Sequence, residues 1–278
     1  MTRVQRYSSY TFTLFAGIHL ANTSIIPLIY RSVPYSEPFL VMAREVYQTP
    51  LTEPLLIGLP LLAHIGSGIA LRLVRRSQNA RRYGHGDGST DGALAKDGRK
   101  HRALPSPWPA LSKISVNGYR FAALLAAHVG VNRVVPLLVE GDSSNIGLQY
   151  VAHGFARRAA GSGAGVSNAA AHLQGWPFYA ALLGFGAGHM VWGWAKWLGL
   201  APPYGWRETT LHDRALRRRR RRAHWAIQGV AAALALTWAA GGLGVVAKAG
   251  PATGWLGSVY DGIYAWAGQY LTVDKWGM

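Results

Sequence analysis

Four histidines, His19, His64, His128 and His189, each sit inside an apolar run, as in "YTFTLFAGIHLANTSIIPLI" at 10–29 and "YRFAALLAAHVGVNRVVPLL" at 119–138. Ionisable side chains within apolar membrane segments are rare, face the bundle interior and mark function. A single one is accounted for by a hydrogen bond to a neighbouring helix. Four, one per run, call for more. A neutral imidazole is a good axial ligand to haem iron. Two imidazoles at one depth on facing helices can clamp a single haem. The chemistry expected is bis-histidine ligation of haem b, one or two groups, with His19 paired to His128 and His64 to His189.

The pairing rests on an internal repeat. Setting His19 on His128 places Tyr10 on Tyr119, Phe12 on Phe121, Pro27 on Pro136 and Leu28 on Leu137. The second helix of each pair matches more weakly: His64 and His189 each have a glycine four residues on, Gly68 and Gly193. Nearby glycines (Gly17, Gly66, Gly68, Gly130, Gly184, Gly186, Gly188) leave room for a flat macrocycle or for close helix packing. Arg72, Arg120 and Arg133 lie towards the ends of the runs and are candidate donors to haem propionates; the plainer reading is snorkelling to headgroups.

The elements that carry these residues follow from hydropathy. The chain has 278 residues, half of them hydrophobic and only 15% charged, against about 25% charged in a soluble domain. Apolar runs of spanning length occur at about 8–30, 53–74, 114–139, 176–200 and 223–247, and lipid leaves helix as the backbone conformation for each. The expected fold is an all-α membrane protein, a five-helix bundle over residues 8–250. A short N-terminus (1–7), a polar Gly-rich loop (75–113) and an interfacial aromatic tail (251–278) flank or interrupt it.

Residues 1–7, 72–113 and 196–222 hold 21 Lys and Arg against 5 Asp and Glu, while the loops on the other side balance at 7 against 7. The positive-inside rule then places the N-terminus in the cytosol and the C-terminus across the membrane. The run Arg217–Arg222 reads as a topology anchor, or as a contact for anionic headgroups. Residues 146–158 and the Trp- and Tyr-rich tail read as interfacial. His85, His101, His153, His172, His212 and His224 read as solvated.

The absence of cysteine excludes disulfides, zinc-thiolate sites, iron–sulfur clusters and cysteine nucleophiles. No P-loop, dinucleotide fingerprint, hydrolase elbow or HExxH is present, and no run has a central carboxylate, which argues against a proton-coupled transporter.

Five spans with a central histidine on each of four resemble the transmembrane cytochrome b subunits of succinate dehydrogenase and fumarate reductase. They depart from the di-haem fumarate reductases in placing the histidine-free span fifth. The segments "SSYTFTLFAGIHLANTSIIPL", "EPLLIGLPLLAHIGSGIALRLVRR" and "NGYRFAALLAAHVGVNRVVPLL" more closely resemble the fungal Mcp family of mitochondrial outer-membrane proteins, whose domain is related to those cytochromes. That resemblance implies a role in mitochondrial lipid homeostasis, phospholipid scrambling between leaflets, and receptor function for a bridge-like lipid-transfer protein of the Vps-thirteen type at contact sites. It implies an outer-membrane location with the C-terminus in the intermembrane space. Docking through a Pro-x-Pro pattern maps onto Pro105, Pro107 and Pro109 of "PSPWP", whose plainer reading is a stiff turn. The competing reading is a transmembrane di-haem cytochrome b that carries electrons from quinol.

Overall fold

With few charges and long apolar runs, the backbone must satisfy its own hydrogen bonds, and every regular element among the described residues is helical. The computed structural model describes residues 1–83, 108–109, 111–159, 175–203 and 205–270. The helices are α1 (Thr2–Leu20), α2 (Ile26–Tyr30), α3 (Val33–Tyr47), α4 (Leu59–Tyr83), α5 (Lys113–Val129), α6 (Val135–Glu140), α7 (Leu148–Ala159), α8 (Trp176–Trp197), α9 (Trp206–Thr209), α10 (Arg214–Gly242) and α11 (Gly254–Tyr270). The fold divides into two units, Met1–Phe15 with Pro50–Ser112, and Ala16–Thr49 with Lys113–Met278. The first therefore holds the start of α1 and all of α4; the second holds the His19 end of α1 and the remaining helices.

Among the described residues, four continuous helical stretches are long and apolar enough to cross a membrane: Thr2–Tyr30, Pro54–Arg81, Lys113–Glu140 and Arg214–Lys248. They contain the first, second, third and fifth runs expected from hydropathy. The fourth run forms α8, whose 22 residues are about 33 Å long at 1.5 Å per residue. Its glycines and tryptophans keep it out of that apolar class, so the described residues form an all-helical fold with four candidate spans.

Three of these stretches contain a five-residue π segment, at Ala21–Ile25, Pro54–Gly58 and Gly130–Val134. Each ends two residues before a proline: Pro27, Pro60 and Pro136. The cause is local. Proline has no N–H, and its ring strikes the carbonyl four residues back. Widening the preceding turn by one residue moves that carbonyl aside. Thus Ile26 N–H donates to the Ala21 carbonyl, Leu59 N–H to Pro54 and Val135 N–H to Gly130. The matched prolines of the repeat are therefore matched wide turns, each beginning two residues after His19 or His128.

In the second unit, α3, α7 and α11 lie outside the candidate spans and form a packed cap. The chain between the first two spans is not a plain loop: α3 occupies 15 residues of it. Its Glu37 carboxylate accepts the N–H groups of Leu148 (3.0 Å) and Gln149 (3.3 Å) at the start of α7. That satisfies helix donors which otherwise lack partners. A side chain at Gly147 would collide with this carboxylate. Burial raises the Glu37 pKa; the two N–H groups and Arg44 oppose that shift. Tyr150, Tyr260, Ile263 and Tyr264 are buried together with Val131 and Val135 of the third span. Full burial of one such side chain contributes about 1.5–3 kcal/mol. The apolar face of α7 is as the sequence indicates, but Leu148 and Phe155 are buried against protein rather than laid into an interface.

Candidate functional site

The second unit brings His19 and His128 together. Their ring centroids are 6.2 Å apart, with the ring planes at 71°. Two metal–imidazole bonds of about 2 Å plus two ring radii span about 6 Å, so this separation fits two nitrogens sharing one iron. Both histidines lie two residues before a π segment, and both are held by the residue four positions on. The Thr23 hydroxyl donates to the His19 carbonyl at 2.7 Å, and the Asn132 amide to the His128 carbonyl at 2.8 Å.

The same two residues reach an aromatic side chain on another helix. Trp238 Nε1–H of α10 donates to Thr23 Oγ1 at 3.1 Å, and its ring lies 6.3 Å from His19. The Asn132 amide donates to the Tyr179 hydroxyl of α8 at 3.3 Å, and the Tyr179 ring lies 5.6 Å from His128 in an edge contact. His19–Thr23–Trp238 and His128–Asn132–Tyr179 are thus one arrangement used twice. α10 packs tightly on the first of them: the Ser24 hydroxyl donates to the Thr237 carbonyl at 2.7 Å, and no side chain fits at Gly241 against Ser24.

His64 and His189 are held differently. His64 Nδ1 lies 2.9 Å from the Gln5 carbonyl, within the first unit. His189 Nδ1 lies 3.0 Å from the Ile114 carbonyl, within the second. Gln5 and Ile114 occupy the same place in the repeat that equates His19 with His128. A carbonyl only accepts, so each Nδ1 carries the proton and each Nε2 carries the lone pair. An Nδ1–H donated to a backbone carbonyl is the usual support of a metal-ligating histidine. These two rings have the tautomer that haem iron requires. His128 has the opposite contact: its Nδ1 is 3.3 Å from the Asn132 amide nitrogen, which donates.

The glycines separate into two groups. At Gly17, Gly66, Gly130 and Gly184 an added side chain would meet nothing within 4 Å. A Cβ added at Gly118 would lie 2.6 Å from the His189 ring, one at Gly186 2.8 Å from Phe121 and one at Gly68 3.0 Å from the Gln5 amide. The first group is open space; the second is close packing, and at Gly118 it sets the position of His189.

The candidate propionate donors have protein contacts. The Arg72 guanidinium lies 5.9 Å from the Trp108 ring and that of Arg76 lies 4.3 Å from it. Arg120 lies 5.2 Å from the Phe185 ring. Arg133 donates to the Ser143 hydroxyl, and Arg44 donates to the carbonyls of Ser143 and Ile146. Of the proline motif, Pro109 is half-buried, while Pro105 and Pro107 lie outside the described residues, as do His85, His101 and His172.

His153 corrects its reading as a solvated histidine. It is 3% exposed. Its Nδ1 accepts the Ala252 N–H at 3.1 Å, its Nε2 donates to Asp261 at 3.2 Å, and its ring is stacked on Tyr264. Asp261, 108 residues away, supplies the partner that a linear reading lacks. Thr23, Asn132, Tyr179 and Trp238 also escape a sequence reading directed at ligands. The signal for the first two was the polar residue four positions after each repeat histidine.

Neither the curated proteins nor the solved structures include a match. The MDM10-complementing protein 1 transmembrane-domain family matches residues 14–106 and 123–251, which is more than half of the chain and includes all four central histidines. The chain therefore belongs to that family and is a mitochondrial membrane protein of the Mcp type.

Proposed function

We propose that this chain is a haem b-binding protein of mitochondrial lipid homeostasis that scrambles phospholipids and serves as receptor for a bridge-like lipid-transfer protein of the Vps-thirteen type. The observation that carries the haem is the 6.2 Å separation of His19 and His128 on repeat-related helices. The lipid role is supported by family membership. In this reading His19 and His128 would hold one haem, and His64 and His189 would be the candidate ligands of a second, the latter two through Nε2. A bis-histidine haem supplies one-electron redox chemistry and a rigid cross-link between helices. Thr23 and Asn132 fix the first pair by holding the His19 and His128 carbonyls, and the Gln5 and Ile114 carbonyls fix the tautomer of the second. Arg72, Arg120 and Arg133 would be the donors to the propionates.

In this reading α8 is the fifth span. Its 22 residues match the roughly 30 Å hydrocarbon layer, and it packs against both α5 and α10. The membrane is the mitochondrial outer membrane, with the 21 basic residues of 1–7, 72–113 and 196–222 on the cytosolic side. The lipid-transfer partner docks there through Pro105, Pro107 and Pro109.

The test begins with the visible spectrum of protein purified from haem-replete cells. A bis-histidine haem spectrum is expected; a colourless preparation refutes the ligand assignment. Scrambling is tested in liposomes carrying fluorescent lipid and an external quencher. Loss of more than the outer-leaflet half of the signal is expected, and arrest at half refutes scrambling. Haem reduction by quinol, without scrambling, would establish the electron-carrier reading instead.

A further inference from the structure

At one end of the second unit, the last residues of the first and fifth candidate runs meet in an open cleft of about 640 Å³. Its walls include Leu28, Val33, Ala240 and Val245, and it also holds two cations, Arg31 and Lys248. Arg31 follows the stretch Thr2–Tyr30 directly, and Lys248 ends the stretch Arg214–Lys248, so both cations lie where a hydrocarbon layer gives way to headgroups. Both are exposed, and among the described residues no carboxylate lines the cleft.

The backbone at Arg31 is unusual. It closes α2 at φ 52° and ψ 29°, with its N–H donating to the Pro27 carbonyl at 2.7 Å. Among the described residues no other non-glycine has a positive φ. A helix end of this kind ordinarily takes glycine or asparagine, which adopt the left-handed conformation with less strain. A cation kept at a strained position, in a cleft that also has Lys248 and an apolar wall, suits a ligand that joins an anion to a hydrocarbon chain.

We propose that this cleft binds the phosphate end of an anionic phospholipid, with Arg31 and Lys248 on the phosphate and an acyl chain along Leu28 and Ala240. Among the described residues nothing acidic in the lining is available to an ammonium headgroup, so a headgroup of net negative charge is favoured over choline. The apolar wall distinguishes a lipid from free phosphate. The proposal goes beyond the haem and scrambling reading and holds whether or not the protein does either.

The test is native mass spectrometry of the full-length protein in detergent, with dioleoyl phosphatidic acid, dioleoyl phosphatidylcholine and inorganic phosphate as probes. Phosphatidic acid is expected to bind in preference to phosphatidylcholine. Arg31→Gln with Lys248→Gln should weaken it about 25-fold, from about fivefold per basic residue near headgroups. Inorganic phosphate at millimolar concentration should leave the lipid bound; if it displaces the lipid, the site is one for phosphate alone and the proposal fails. Unchanged lipid binding in the double variant also overturns it. Arg31→Gly separates binding from folding, because glycine suits the left-handed position. It should keep or raise the thermal midpoint while losing the Arg31 share of affinity, about fivefold. A lowered midpoint with affinity intact would make Arg31 a structural cap and overturn the proposal.

Discussion

The two histidine pairs solve opposite halves of one problem. His19 and His128 face each other at a spacing that suits a shared iron, yet His128 Nδ1 takes its contact from the Asn132 amide. His64 and His189 lie in different units, and each ring presents Nε2 because a carbonyl holds its Nδ1 proton. The difference teaches what each kind of support can do. A side-chain amide in the first pair holds the helix as well as the ring, so it couples the histidine to the wide turn before Pro136. A carbonyl acceptor in the second pair fixes which ring nitrogen carries the proton and little else. The first pair is set by helix position, the second by tautomer.

The largest expected effect tests whether the pairs are independent. His128→Ala should remove one of two haems and leave the spectrum of the other intact, while His189→Ala should remove the other. Loss of both haems, or of neither, in either variant would break the pairing. The haem-to-protein ratio by pyridine haemochrome is the measurement.

A second test addresses the packing that places His189. An alanine methyl at Gly118 would lie 2.6 Å from the His189 ring. Gly118→Ala should displace the ring from the Ile114 carbonyl, alter only the haem that depends on His64 and His189, and destabilise the chain by about 1–3 kcal/mol through overpacking. Gly17→Ala and Gly130→Ala, whose added methyls meet nothing within 4 Å, should leave stability unchanged to within a few tenths of a kcal/mol, apart from the gain in helix propensity. If Gly130→Ala is as harmful as Gly118→Ala, the division of the glycines into open and packed groups is wrong. Chemical unfolding in mild detergent provides the readout.

Asn132→Leu and Thr23→Val sharpen the contrast further. Each removes a bond to a histidine carbonyl and a bond to an aromatic partner, at about 0.5–1.5 kcal/mol per hydrogen bond. Both should broaden or shift the spectrum of the His19–His128 haem without touching the other. Asn132→Leu should also free His128 Nδ1 from a donor and so ease haem loading; slower loading than in the parent chain would contradict the role assigned to the amide.

How much of this was legible follows the same division. The repeat gave the histidines, the matched prolines and the span positions, because hydropathy and local spacing carry them. It did not give α3. Residues 33–47 include two prolines and alternate polar with apolar residues over a length that does not span a membrane, and their order comes from Glu37 holding the start of α7. Nor did it give His153 its burial, since Asp261 and Ala252 approach from elements about 100 residues away. Nothing local marks Trp238 among the apolar residues of α10; its role comes from Thr23, 215 residues away, accepting its indole N–H. Features set by one helix were readable; those set by a polar contact between distant segments were not.

The smallest expected effect reaches one side of the comparison through that cap. Burial and the neighbouring Arg157 lower the His153 pKa, so the folded chain binds the proton less readily than the unfolded chain, whose histidine titrates near 6.5. The stability concerned is therefore fully present above about pH 6.5 and declines as pH falls towards the lowered folded value, then levels off. Protonation would also place a proton on Nδ1 against the Ala252 N–H, while Asp261 and Arg157 remain on the other side of the ring. The cap packs on Val131 and Val135, on either side of Asn132 and Arg133. Acidification from pH 7 to 5.5 should accordingly raise amide exchange at residues 130–136, after correction for intrinsic rates, and leave residues 54–64 unaffected. His153→Gln should abolish that dependence. Equal acid sensitivity in both segments would show that the two histidine pairs share one support, and the contrast between them would fall.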